Sequence, residues 1–219
     1  MNYTKTISKK YSLNRANYRS TNKDVVPLLN KVKLKSKVIL DFGCGDGSDT
    51  EMFLKKGVKR IDGVDISQAM IAIAKQKYHG VKNVTFIKVR GIKLPFKNTS
   101  FDFVFSHFVL HYIKDTKKQF KEISRVMKRG ATFIAVFNCL TTDIKKINKK
   151  VPMLLGRSTK KIKLTILSKA PEEIKIALKE ASLKLVTLKP INNPDIKIDP
   201  KYHNKDKFKQ TTVILVSRK

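Results

Sequence analysis

The sequence predicts an α/β fold, a doubly wound and mostly parallel sheet of seven strands with crossover helices on both faces. Three observations predict it. From Lys37 onward, short β-branched apolar runs alternate with segments of helical period, the pattern of βαβ units. The first run, Lys37–Asp41, leads at once into glycines at 43, 45 and 47. The chain has 219 residues, 41% of them apolar, enough to bury the core of one such domain.

Each element has its own signal. Lys37-Val-Ile-Leu-Asp41 is the first strand, and a helix over Ser48–Lys56 follows the glycines and stops at Gly57. Arg60-Ile-Asp-Gly-Val64 is the second strand. The Ser67 hydroxyl is placed to cap the next helix, whose Met70, Ile71, Ile73 and Ala74 share a face. Val84–Val89 and Phe101–Ser106 are the third and fourth strands. Asp115 caps a helix with Phe120, Ile123 and Val126 or Met127 at helical spacing, and Gly130 is expected to end it. Thr132–Phe137 is the fifth strand. Pro171 opens a helix to Ala181, followed by strands Lys184–Leu188 and Thr211–Ser217. Right-handed crossovers then leave a ligand crevice outside the carboxyl ends of the strands.

Charge and composition narrow the function classes. Lys and Arg number 48 against 17 Asp and Glu, a formal charge of +31. Such a balance points to nucleic acid, yet 40 of the cations are Lys and only 8 are Arg, the residue better suited to bidentate phosphate and base contacts. Phe, Tyr, Met, Ile, Asn and Lys, with AT-rich codons, total 96 residues; Gly, Ala, Arg and Pro total 33. Much of the Lys excess is therefore genome composition. A local excess remains between Leu140 and Lys169, where nine cations face Asp143 alone, and this window is read as a substrate-facing or lid segment. No apolar run approaches the roughly 18 residues of a membrane-spanning helix, and residues 1–10 lack a secretory apolar stretch, so a soluble cytoplasmic protein without a membrane partner is expected. Cys44 and Cys139 alone can build neither a disulfide framework nor a structural zinc site, and no metal is expected.

The segment Val38-Ile-Leu-Asp-Phe-Gly-Cys-Gly-Asp-Gly47 carries the chemistry. A GxGxxG turn presents amides to a pyrophosphate, whereas GxGxG bends more tightly and offers carbonyls as well, which suits a nucleoside bearing an ammonium. Asp41 adds negative charge near that ammonium. Asp65 ends the second strand 22 residues after Gly43, where a carboxylate can accept hydrogen bonds from both ribose hydroxyls.

With Gly63-Val-Asp-Ile-Ser67 and Leu94-Pro-Phe-Lys-Asn-Thr-Ser-Phe-Asp-Phe-Val104, that segment resembles the class I S-adenosylmethionine-dependent methyltransferases, in the small-molecule branch labelled methyltransferase type 11. Phe120–Gly130 is similar to the family's helix before strand five. The likeness is close over about 36–139 and loose over 168–219. It implies a Rossmann-like sheet with an antiparallel last strand, residues 1–35 as an N-terminal helical cap over the cofactor, and 36–219 as the catalytic domain with a basic insertion at about 140–168. It implies S-adenosylmethionine as cofactor and S-adenosylhomocysteine as product. Asp41, Gly43, Cys44 and Gly45 would then line the methionine end, Asp65 the ribose and Ile66 the adenine, with Ser106 at the end of the fourth strand. Tyr11 or Arg19 of the cap would meet the cofactor's carboxylate, unless that helix only packs its aromatics on the core. One departure stands out: Arg90 occupies the position of an Asp that accepts from the adenine amino group. Either the backbone of Gly91 and Ile92 reads that group, or Arg90 stacks on the ring edge. Ala131 replaces a usual second glycine, a structural change only.

Methyl transfer is a direct displacement on a sulfonium, so the protein supplies proximity, alignment and dryness, and a base only where the acceptor loses a proton. His107 and His111, four apart after the fourth strand, are the candidates for that role; His111 has the alternative of a packed or capping histidine. The cysteines are read as ordinary buried residues. The expected function is transfer of a methyl group to an oxygen or nitrogen, or a carbon, of a small and acidic acceptor, by a monomer or homodimer. An RNA methyltransferase using the basic surface is the alternative, although no Asn/Asp-Pro-Pro-aromatic tetrad and no Pro-Cys pair is present. A cofactor-binding module without catalysis is the third reading.

Overall fold

The computed structural model describes residues 22–139, 150–155, 162–167, 169–191, 196–198 and 211–219. Among these, helices α1 (Asn22–Asn30), α2 (Thr50–Leu54), α3 (Gln68–Lys77), α4 (Thr116–Val126) and α5 (Pro171–Glu180) accompany ten strands. The strands are β1 (Val38–Phe42), β2 (Arg60–Asp65), β3 (Val84–Lys88), β4 (Phe101–His107), β5 (Met127–Cys139), β6 (Lys150–Leu155), β7 (Ile162–Leu167), β8 (Lys184–Ile191), β9 (Ile196–Ile198) and β10 (Thr211–Arg218). The main sheet has seven strands in the order β3-β2-β1-β4-β5-β10-β8. The pairs among β3, β2, β1, β4 and β5 are parallel, and β10 runs antiparallel to both β5 and β8. This is the doubly wound, mostly parallel sheet with an antiparallel last strand that the sequence predicts. The strand order reverses between β1 and β4, the point at which such sheets open a crevice for ligands.

Alternation along each strand decides which side chain meets which helical layer. Phe103 and Phe105 of β4 point to the layer of α1 and α2, where they meet the Phe53 ring edge-on at centroid distances of 6.1 and 5.3 Å. Val104, between them, packs on the opposite face with Leu40, Phe120 and Ile123. Each such fully buried aliphatic or aromatic side chain contributes roughly 1.5–3 kcal/mol of transfer free energy. The Ser67 hydroxyl accepts from Met70 N at 3.3 Å and caps α3, and the Asp115 carboxylate accepts from Lys118 N at 3.0 Å and caps α4. Caps of this kind stabilise by about 1 kcal/mol.

Three expectations are corrected. The helix after the glycines spans only Thr50–Leu54, because the triple-glycine turn absorbs the residues before it. Gly130 does not end α4, which stops at Val126 where Met127 turns extended and pairs with Phe101; Gly130 instead takes φ +75° inside β5 and donates its N–H to Lys219 O at 3.0 Å. The strands exceed the seven expected: within the basic window β6 and β7 form an antiparallel hairpin which, with β9, makes a second, three-stranded sheet. The expected cap at 1–35 lies outside the described residues except for α1 and the turn after it. No helix among the described residues is long and apolar enough to cross a membrane.

Candidate active site

A cavity of about 760 Å³ opens at the carboxyl ends of β1, β2 and β4. Its floor is the glycine turn, with φ of +78° at Gly43, +56° at Gly45 and +74° at Gly47, a left-handed path that L side chains rarely adopt. Val64 O accepts from both Gly43 N at 2.8 Å and Cys44 N at 3.0 Å, which pins the turn against the end of β2. Asp65, the next residue, is itself pinned: Oδ2 accepts from Gly45 N at 3.0 Å and Oδ1 from Ser67 N at 2.7 Å. Both carboxylate oxygens are thus fixed by backbone amides at the cavity edge. Ile66 follows, a large apolar side chain left 52% exposed at the rim, facing the cavity with Gly91 and Ile92. An anchored carboxylate, an adjacent bare apolar face and a side-chain-free backbone turn together fit a nucleoside with its base on Ile66 and its ribose on Asp65.

The loop behind Gly91 and Ile92 is held by α4. Glu122 Oε1 accepts from Leu94 N at 2.6 Å, and Arg125 donates to Phe96 O at 2.9 Å and Leu94 O at 3.2 Å while pairing with Glu122 at 2.7 Å. The Arg125 guanidinium accordingly holds the Glu122 carboxyl below the usual carboxylate range. Arg90 is exposed and stands off the cavity wall, which leaves that side of the loop to Gly91 and Ile92.

The other half of the cavity is built by the end of β4 and the turn after it. His107 is 7% exposed and its Nδ1 lies 3.0 Å from Asp49 Oδ2. Its ring stacks on Phe108 at 4.7 Å and 22°, and Phe105 packs against it at 5.6 Å. Phe108 has φ +60°, a costly conformation for an aromatic residue, and it turns the chain so that Phe108 and Val109 enter the cavity wall. Tyr112, Ile113, Lys114, Asp115 and Gln119 continue the wall, and the Lys150 and Leu167 pair of the β6–β7 hairpin completes it.

The predicted residues fall into two groups. Gly43, Gly45, Asp65, Ile66, Gly91, Ile92 and His107 line the cavity together. Asp41, Cys44, Ser106 and His111 are buried behind it. Cys44 packs with Ile71, Ala74 and Phe86 beneath α3. The His111 Nδ1 accepts from Asn138 N at 3.2 Å, and burial, with the Lys169 charge, pushes its pKa down to about 3. Burial likewise pushes the Cys139 thiol up to about 12. Tyr11 and Arg19 lie outside the described residues. Phe108, Val109, Ile113, Lys114 and Gln119 line the cavity although sequence reasoning did not single them out; Asp49, an Asp directly after the glycine turn, reaches the site only through His107. Among the described residues no cluster of three or more His, Cys, Asp or Glu is placed to hold a metal ion.

Comparison with known proteins adds an independent line. Residues 40–135 match the family model described as a methyltransferase domain. The chain is 33% identical over 105 residues to the juvenile hormone acid O-methyltransferase of Bombyx mori, covering 45% of this chain and 37% of that protein. It is 33% identical over 112 residues to the demethylmenaquinone methyltransferase of Staphylococcus aureus, covering 50% and 44%. The chain thus spans about two-fifths of the length of these curated relatives. Among solved structures, phosphoethanolamine N-methyltransferase 2 of Haemonchus contortus, in complex with S-adenosyl-L-methionine, superposes with a TM-score of 0.72 over 99% of this chain and 57% of that one at 19% identity, a likeness of fold.

Proposed function

From the match of residues 40–135 to the methyltransferase domain family we propose that the protein is a class I S-adenosylmethionine-dependent methyltransferase acting on a small molecule. One observation carries the reading. The anchored Asp65, the bare Ile66 and the glycine turn line the same cavity as His107 and a mostly apolar wall. A nucleoside cofactor and a second small molecule therefore have adjoining places.

The bound cofactor would supply an electrophilic methyl group on a sulfonium. The chain's own residues do the rest. Asp65 holds the ribose, Ile66 and the Gly91–Ile92 backbone hold the adenine, and the turn at 43–45 lets the backbone approach the methionine end. Asp41, buried at the end of β1, supplies negative charge beneath it. Tyr11 and Arg19 of the N-terminal cap remain our proposal for the cofactor's carboxylate.

Phe108, Val109, Ile113 and Leu167 exclude water and orient the acceptor, which contributes through proximity. Lys114 and Lys150 on the same wall suit an acceptor with a carboxylate or phosphate on an apolar body. The relatives named above act, by their names, on juvenile hormone acid, demethylmenaquinone and phosphoethanolamine, all small molecules, which supports this class over RNA.

The test is calorimetric titration with S-adenosylmethionine, followed by incubation with cell extract and methyl-labelled cofactor, with mass spectrometry of the product. Label in a low-mass metabolite supports the proposal. Label in RNA, surviving ribonuclease-free purification at physiological salt, replaces it with the nucleic-acid reading.

A further inference from the structure

We propose that Asp49 and His107 form a base dyad and that the methyl acceptor is therefore a weakly acidic hydroxyl, as on a phenol or enol. This rests on the methyltransferase reading and sharpens it to one acceptor class.

Asp49 precedes α2 at its N-cap position, where an Asp ordinarily accepts from an amide of the first turn. Its carboxylate makes no such bond. It reaches across to the end of β4, 58 residues later, and Oδ2 meets His107 Nδ1 at 3.0 Å. Both side chains are largely out of water, at 7% exposure for His107 and 14% for Asp49. Aromatic rings hold the imidazole from two further directions, Phe108 stacked on its face and Phe105 against it. The stack depends on the left-handed Phe108, a conformation that persists only where surroundings over-determine it, and such residues cluster at active sites.

The geometry assigns the tautomer. A carboxylate accepts and does not donate, so Nδ1 carries the hydrogen and Nε2 is the basic nitrogen. His107 lines the cavity together with the glycine turn and Asp65. A carboxylate behind an imidazole orients the ring and stabilises the imidazolium formed when the ring takes a proton. Asp49 is thus a positioning residue, and His107 the group that meets the acceptor.

The dyad also selects the acceptor. A free-base amine brings its own lone pair, and a carboxylate is already anionic, so neither needs a base to attack. A hydroxyl does. Its oxygen forms a bond to the methyl carbon as the carbon–sulfur bond breaks; the bonding pair stays on sulfur, leaving the thioether S-adenosylhomocysteine, and the hydroxyl proton passes to His107 Nε2. Water then takes that proton from the ring. The apolar side chains of Phe108, Val109 and Ile113 suit the flat carbon body of such an acceptor.

Two measurements test this. Long-range ¹H–¹⁵N correlation on the full chain at pH 8 is expected to show His107 as the Nδ1–H tautomer, and Asp49→Asn to shift it towards Nε2–H. An Nε2–H tautomer in the wild type, or no response to Asp49→Asn, overturns the dyad. The second uses extract incubated with [methyl-¹³C]S-adenosylmethionine, where the ¹³C shift separates an aryl or enol ether from an amine or ester. A methyl ether is expected. His107→Gln and Asp49→Asn should then lower kcat for that acceptor about a hundredfold, with KM and calorimetric cofactor affinity unchanged. A methylamine or methyl ester, or no product while the cofactor still binds, overturns the inference. Failure of the wild type to bind the cofactor sinks the parent reading instead.

Discussion

Gly43 lies against Val109 with no room between them: a Cβ added to the glycine would sit 2.1 Å from Val109 Cγ2. The glycine turn after β1 and the corner after β4 are thus packed on each other in the cavity lining.

Gly43→Ala should therefore damage both the turn and the corner. At φ +78° the added methyl is strained before it meets anything, and the valine must then shift. Calorimetric affinity for S-adenosylmethionine is expected to fall at least about tenfold, or about 1.4 kcal/mol. Gly43→Ala/Val109→Ala should recover part of that loss, because two of the three close atoms are the valine γ-methyls. Equal loss in single and double variants would locate the damage in the backbone alone.

Asp65→Ala removes the carboxylate proposed to hold the ribose, and with it the acceptor of Gly45 N and Ser67 N. Cofactor binding should weaken at least about tenfold. Unchanged affinity by titration calorimetry would take Asp65 out of the ribose role.

His111 predicts a pH dependence of stability. Its folded pKa of about 3 lies below the ordinary value of 6.5, because burial disfavours the charged ring. Below about pH 6.5 the unfolded chain takes up a proton that the folded one does not. Stability should thus be complete above that pH and fall by up to about 1.4 kcal/mol per unit as pH drops towards 3. In urea unfolding, the gap between wild type and His111→Gln should shrink from pH 7.5 to pH 5. A gap independent of pH would show that the ring charges freely in the folded state.

Lys169 belongs to the basic window yet is wholly buried, its Nζ donating to Thr116 Oγ1 and Glu173 Oε1, each at 3.0 Å. It ties the segment after β7 to the starts of α4 and α5. Burial lowers its pKa, and Glu173 opposes that shift. Lys169→Met should cost about 3 kcal/mol, because it strands a mostly buried carboxylate. Lys169→Met/Glu173→Gln should cost less than the single variant in the same denaturant titration. A single variant within about 0.5 kcal/mol of wild type would mean that the pair is solvated.

The order of elements and the frame that holds Asp65 were legible in the sequence because both are local. Strand, glycines, helix and terminal acid are neighbours in the chain, and Asp65 needs only Gly45 and Ser67 to hold it. Ser67 and Asp115 were readable as caps for the same reason. The 127–130 segment misled because Gly130 is a local stop signal, whereas the pairing of Met127 with Phe101 is a tertiary fact.

The sequence by itself determined the α/β class, the seven-stranded sheet and the glycine turn after β1, since periodicity and glycine conformation are properties of adjacent residues. Only the tertiary structure decided what each charged and aromatic side chain does. It made Asp49 the partner of His107, withdrew His111 and Lys169 from solvent, and folded part of the basic window into a small sheet whose Lys150 and Leu167 meet the cavity. Burial and partners set the chemistry of an ionisable group, and residues 58 or 53 positions apart become partners only when the sheet brings their strands and helices together.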